Sequence, residues 1–154
     1  MVRKILASIM FIAAISTKTL ASVPTDYVEI LDQREVIQDL GYSDEDLQLI
    51  ALVTVGEAEG ESELGKRLVI DTILNRVDCD IYPDTAYDVC WQRGQYSCLH
   101  NGRCKRCKAS QYVIDLVKEE ILERTNSEVL YFSTGGYQNR HAVLQEGSHY
   151  FCGR

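Results

Sequence analysis

The chain lacks any apolar run long enough to cross a bilayer. Its longest, Ile5 to Ile15, is eleven residues, against the roughly 20 that a spanning helix needs. It also lacks a basic surplus, since 16 Lys and Arg face 23 Asp and Glu. That balance argues against nucleic acid as a partner and gives no attraction to an anionic surface. No H-E-x-x-H pattern occurs, so the helical zinc signature is missing and no cofactor is called for. Internal repeats and low-complexity segments are absent as well. What remains is ordinary globular composition, 45% hydrophobic and 25% charged over 154 residues, enough for about one domain with a real core.

The first residues read as an address. Arg3 and Lys4 precede the apolar run, and Thr19 and Ala21 put small residues at the −3 and −1 positions of a cut after Ala21. Residues 1–21 are therefore expected to be a secretory signal peptide. Polar Ser16, Thr17 and Lys18 interrupt the run, which argues against an uncleaved anchor. Removal takes three basic residues (Arg3, Lys4, Lys18) and no acid, leaving a formal charge of −10. The expected location is exported, periplasmic or at the cell wall, with no stable membrane span once the signal is gone.

All six cysteines (Cys79, Cys90, Cys98, Cys104, Cys107, Cys152) follow that segment. An even count in a short exported chain points to disulfides, with fifteen possible connectivities. The rival is zinc, because Cys98, His100, Cys104 and Cys107 cluster within ten residues. Their spacing matches no common zinc module.

Residues 22–42 mix charge and apolar side chains and are expected to be a linker or short helix. Residues 43–154 form the folded domain. Ser43 caps a helix that carries Leu47, Ile50, Ala51 and Thr54 inward, with Gly56 near its end. Glu61 or Ser62 starts the next helix, whose stripe is Leu64, Leu68, Ile70, Ile73, Leu74 and Val77. Arg67 and Asp71 are expected to pair on its other side. Thr85-x-x-Asp88 resembles a capping box for a short helix through Trp91, which is expected in the core. Residues 94–108 make a polar, cysteine-stapled loop, and 110–123 an amphipathic helix. Val129 to Ser133 is a short β-type run, and the tail from Ala142 to Cys152 is too mixed to assign. The fold class is mainly α (α+β).

The chemistry concentrates in Val55 to Val77, which packs Glu57, Glu59 and Glu61 between two apolar runs. Glu57 follows directly on a buried run, so its side chain is partly walled in. Burial disfavours ionisation, which suits a general acid. Glu59 sits in the polar turn and is expected to be solvated. Glu61, near a helix start, can accept from free backbone N–H groups and stay charged. One neutral and one charged carboxyl is an arrangement that cleaves glycosidic bonds. The other reading of the same residues is a solvated turn with a capping glutamate.

Glu57-Ala58-Glu59-Gly60-Glu61, Gly65 and Ile73-Leu74-Asn75-Arg76-Val77 together resemble the signature of the SleB-like cell-wall hydrolases, the spore cortex-lytic enzyme family. Tyr82-Pro83, Val89-Cys90-Trp91-Gln92, Gln95-Tyr96-Ser97 and Gly147-Ser148-His149-Tyr150-Phe151 continue it in order. The resemblance spans about Leu47 to Phe151. It implies a lysozyme-like single domain with a small β element that cuts peptidoglycan glycan strands between MurNAc and GlcNAc. Members are lytic transglycosylases, in which one glutamate protonates the leaving oxygen and then takes the proton of the MurNAc C6 hydroxyl. A 1,6-anhydro ring closes and no water is used. Glu57 carries over to that role. Glu61, Gln95, Tyr96, Ser97, Tyr131 and His149 are the expected substrate-binding residues, and a monomer is expected. Tyr96 stands where Phe is usual, Glu59 where Arg is common, and the Cys98–Cys107 loop is an addition to the pattern. Asn75 and Arg76 are expected to brace the fold. The rival functions are a water-using muramidase, a stem-peptide amidase or peptidase, and a secreted non-catalytic wall-binding module.

Overall fold

The computed structural model describes residues 33–154; the expected signal peptide lies outside them. Residues 33–39 are helical. The domain that follows, from Tyr42 onward, runs α1 (Asp44–Ala58), α2 (Glu63–Val77), α3 (Ala86–Trp91), α4 (Ser97–His100), a 3-10 turn (Cys104–Arg106), α5 (Gln111–Leu122), β1 (Tyr131–Ser133), β2 (Ala142–Glu146) and β3 (His149–Cys152). Among these residues no helix is long and apolar enough to cross a membrane.

The helix starts follow their sequence signals. Ser43 caps α1 by accepting from Asp46 N, and the Asp46 side chain reaches back to the Ser43 N–H. Ser62 caps α2 through Gly65 N, Thr85 caps α3 through Asp88 N, and Ser110 caps α5 through Val113 N. Each such bond satisfies a free first-turn donor and is worth about 1 kcal/mol. α1 is the central helix and packs against α2, α3, α4 and α5. Ile50, Val53, Leu68, Ile70, Ile73, Leu74, Val89 and Val117 fill the space between them.

The sequence tail, left unassigned, supplies two of the three strands. The sheet order is β1-β3-β2, antiparallel throughout. Glu146 and His149 pair across a two-residue turn, Gly147-Ser148, with Gly147 at φ +54°. An irregularity between Ala142 and Leu144 breaks the alternation of β2, which hides the strand from a period-2 search. Phe151, fully buried, ties the sheet to the helices through Ala58, Leu68, Val69 and Val129. Burying such a ring contributes roughly 1.5–3 kcal/mol.

Two expectations are corrected. Trp91 is 43% exposed rather than core, and it contacts Tyr87 and His100 edge-on or tilted. Arg67 does not pair with Asp71. It binds Glu63, Glu119 and Glu120, while Asp71 is fully buried. Helical spacing made the pair available, but α5 covers that face and supplies better-placed carboxylates.

Candidate active site

Glu57 lies in the last turn of α1, with its side chain half-buried. Its Oε1 accepts the backbone N–H of Cys98 at 2.9 Å, so the loop 94–98 holds one edge of the carboxyl. Gly56 explains how the loop comes so near. A Cβ there would stand 2.6 Å from Cys98 Sγ and 2.8 Å from Cys104 Sγ. Glycine inside a helix is unfavourable by about 1 kcal/mol relative to alanine, and here the missing methyl admits both sulfurs. The six cysteines are thiols in the structure, and no set of three or more His, Cys, Asp or Glu among the described residues is placed to hold a metal ion.

The other two acids have different surroundings. Glu59 is exposed and 3.6 Å from Arg103. Glu61 accepts from the Ser148 hydroxyl at 2.5 Å and the Ser148 N–H at 3.3 Å. Those bonds, the hydroxyl first, hold its carboxyl below the usual range. Glu61 is therefore charged, as its position suggested, but its donors come from the β2–β3 turn and not from its own helix. Gly147 is required beside it, because a Cβ there would collide with the Glu61 carboxylate.

The other expected binding residues are placed differently from one another. Gln95 and Tyr131 line one cavity of about 210 Å³, with Ser133, Gln138 and Arg140. Ser97 is exposed at the start of α4. Tyr96 and His149 are each only 5% exposed. The Tyr96 ring lies beside Arg76 and Phe132, and His149 packs between Phe132 and Phe151. Both thus sit inside the wall that carries the cavity. Asn75 and Arg76 brace as expected. Asn75 donates to Asn126 O and Val129 O at 2.9 Å, and Arg76 to Leu130 O and Gln95 Oε1 at 2.7 Å. Ser148, Gln138 and Arg140 were not singled out by sequence; only Ser148 had a signal, its place in the closing motif.

A single half-buried glutamate at a helix end, aligned by a neighbouring loop, is the candidate acid/base group of a mainly helical domain. Residues 60–152 match the family described as Cell Wall Hydrolase, and the chain belongs to that family. The match begins three residues after Glu57. The spore cortex-lytic enzyme of Oceanobacillus iheyensis is 30% identical over 120 residues, 73% of this chain and 43% of that protein. The same enzyme of Halalkalibacterium halodurans is 28% identical over 73% of this chain and 36% of its own length. The chain thus spans less than half the length of these relatives. Two solved structures share the fold. The catalytic domain of the Bacillus cereus SleB protein has TM-score 0.66 and 28% identity, covering 73% of this chain and 92% of that one. The catalytic domain of the germination-specific lytic transglycosylase SleB from Bacillus anthracis has TM-score 0.64 and 27% identity, covering 73% and 97%.

Proposed function

We propose that the domain cleaves the glycan strands of peptidoglycan between MurNAc and GlcNAc as a lytic transglycosylase, with Glu57 as its acid/base. The observation that carries this reading is the asymmetric setting of the Glu57 carboxyl. Oε1 accepts a fixed N–H at 2.9 Å, which leaves Oε2 as the oxygen that carries the transferable proton in this reading. That proton passes to the glycosidic oxygen as the C1–O bond breaks. The resulting carboxylate then takes the proton of the C6 hydroxyl, whose oxygen bonds to C1. Each proton is accounted for and no water enters.

The neighbouring acids favour this one-carboxyl route. Two-carboxylate hydrolysis needs a second group free to attack or to activate water. Glu61 is committed to Ser148, and Glu59 is exposed beside Arg103. The test is digestion of purified peptidoglycan followed by mass spectrometry of the released fragments. Anhydro ends, one water lighter than hydrolysed ends, are expected; water-added ends would reassign the enzyme as a muramidase, and intact strands would reduce it to a binding module.

Export belongs to the same proposal, since the substrate lies outside the membrane. In that oxidising setting Cys98 and Cys104 are the pair placed to bridge, because their sulfurs crowd the same point above Gly56. A disulfide-bearing oxidant would take the two electrons and both thiol protons. The bridge would pin the loop whose N–H orients Glu57.

A further inference from the structure

We propose that the cavity between β1, the 136–140 turn and the 94–95 loop is an anion site, in which Arg140, backed by Arg76, receives a carboxylate of the glycan substrate. This rests on the reading of peptidoglycan as substrate and names the part of it that the cavity takes.

The charge arrangement carries the argument. On a chain with seven more acids than bases, the cavity is lined by two guanidiniums and no carboxylate. Elsewhere in the domain Arg67 has three carboxylates, and Arg103 and Arg124 one each. Arg76 is 3% exposed, yet its bonds go to neutral oxygens of Leu130 and Gln95. A buried charge without a counter-charge is expensive, and an anion brought alongside offsets it. Arg140 is exposed, and its guanidinium stacks 3.6 Å from the Tyr131 ring centroid. Stacking presents the flat fork edge-on, the geometry that pairs with a carboxylate through two N–H groups. The turn is set for this by two consecutive left-handed residues, Gln138 at φ 53° and Asn139 at φ 60°, and by the Gln138 amide donating to Ser133 Oγ at 2.8 Å. Tyr131 reports the field: its phenol is held below the usual range, first by a hydrogen bond from Tyr82 and then by Arg140 and Arg76.

Size and position narrow the ligand. About 210 Å³ is below the usual span of whole-ligand pockets, so it suits a substituent rather than a sugar chain. The loop that lines the cavity with Gly94 and Gln95 continues into the Cys98 N–H that holds Glu57. A carboxylate clamped there would set the strand's register relative to the acid. Peptidoglycan offers that chemistry from two sources, the lactyl ether of the muramic sugar where the stem is absent and the stem peptide where it is present.

The experiment uses the full chain with Glu57→Gln, so that strands bind without being cut. Titration calorimetry compares stem-bearing strands and stem-stripped strands, each before and after conversion of carboxylates to amides. At least one carboxylate form is expected to bind about tenfold tighter than its amide, and the strand type showing this identifies the source. Arg140→Gln should erase the preference without weakening the amidated strand, and Arg140→Lys should restore part of it. Equal affinity for acid and amide in both strand types, or a uniform loss in Arg140→Gln, overturns the site. Cleavage by the unaltered protein on amidated strands separates the two readings. Cutting without carboxylate preference removes the anion site alone, whereas no cutting of any strand removes the glycan reading itself.

Discussion

The acids at the α1–α2 junction face loops and solvent, while those between α2 and α5 face only protein. In the first cluster Glu57, Glu59 and Glu61 have separate partners: a loop N–H, a surface arginine and a turn serine. In the second, Asp71 and Glu120 are 0% and 1% exposed and share one environment. Glu120 accepts from Arg67 at 2.8 Å and from Thr125 N and Oγ1 at 2.6 and 2.9 Å. Asp71 Oδ2 accepts from Asn126 N at 2.7 Å, and its Oδ1 has no donor. Two buried carboxylates cannot both ionise side by side. Burial first, then the bond and charge of Glu120, push Asp71 up to about 8. Burial also pushes Glu120 up, but bonds from Asp71, Arg67 and Thr125 outweigh it and hold Glu120 below the usual range. Asp71 therefore keeps its proton beside the ionised Glu120. The comparison separates a carboxyl proposed to exchange protons with a substrate from one whose proton is held inside the protein.

The sharpest break between the clusters is in activity. Glu57→Gln should lower turbidity clearing of peptidoglycan by about 10²–10⁴-fold, the usual share of a general acid/base. Gln keeps an oxygen for the Cys98 N–H, so the melting temperature should hardly move. Near-wild-type clearing would remove Glu57 from its role.

Stability against pH tests the second cluster. The unfolded Asp71 ionises near 3.8 and the folded one near 8, so between them the native state holds a proton that the unfolded chain lacks. Stability is then expected to fall as pH rises from about 5 to 8. Glu120 works in the opposite sense, adding stability that is lost only as pH falls through its depressed range. Asp71→Asn can give an N–H to Glu120 and still accept from Asn126 N. Its unfolding free energy, from urea titration, should be nearly flat over pH 5–8. Parallel pH profiles for the two proteins would sink the shared proton.

Sequence made the first cluster legible and left the second hidden, for physical reasons. Glu57 is marked by local order: a capped, apolar helix that ends in an acid and a glycine-bearing turn. The caps at Ser43 and Thr85 are local too, and each is realised. Asp71 and Glu120 are 49 residues apart in the chain, and only α2–α5 packing brings them together. An i, i+4 rule therefore assigned Asp71 to Arg67. The strands β2 and β3 are short, and the Ala142–Leu144 irregularity shifts their alternation. Tyr96 and His149 match motif positions, but a motif does not say whether a ring faces the cleft or lies behind it. Arg140 gave no local signal, because its stacking partner Tyr131 lies nine residues earlier, on β1.

A smaller effect is expected where the first cluster meets the sheet. Gly147→Ala puts a methyl at φ +54° against the Glu61 carboxylate. The left-handed backbone disfavours any side chain, and the collision forces either the turn or Glu61 to move. The loss should be about 1–3 kcal/mol, with clearing activity reduced less than by Glu57→Gln. Unchanged stability would show that the turn and Glu61 adjust independently.

The smallest effect belongs to Glu59, and it is the control for its neighbours. Its one ion pair among the described residues is with Arg103 at 3.6 Å, with side chains 67% and 49% exposed. Exposed pairs of this kind contribute about 0–1 kcal/mol and weaken further with salt. Glu59→Gln should therefore change neither the melting temperature nor clearing activity beyond measurement error at physiological ionic strength. At low salt a slight destabilisation is expected, shared by Arg103→Gln and not increased in the double variant. A large loss of activity in Glu59→Gln, with the fold intact, would give the turn a second working carboxylate and undo the one-acid mechanism.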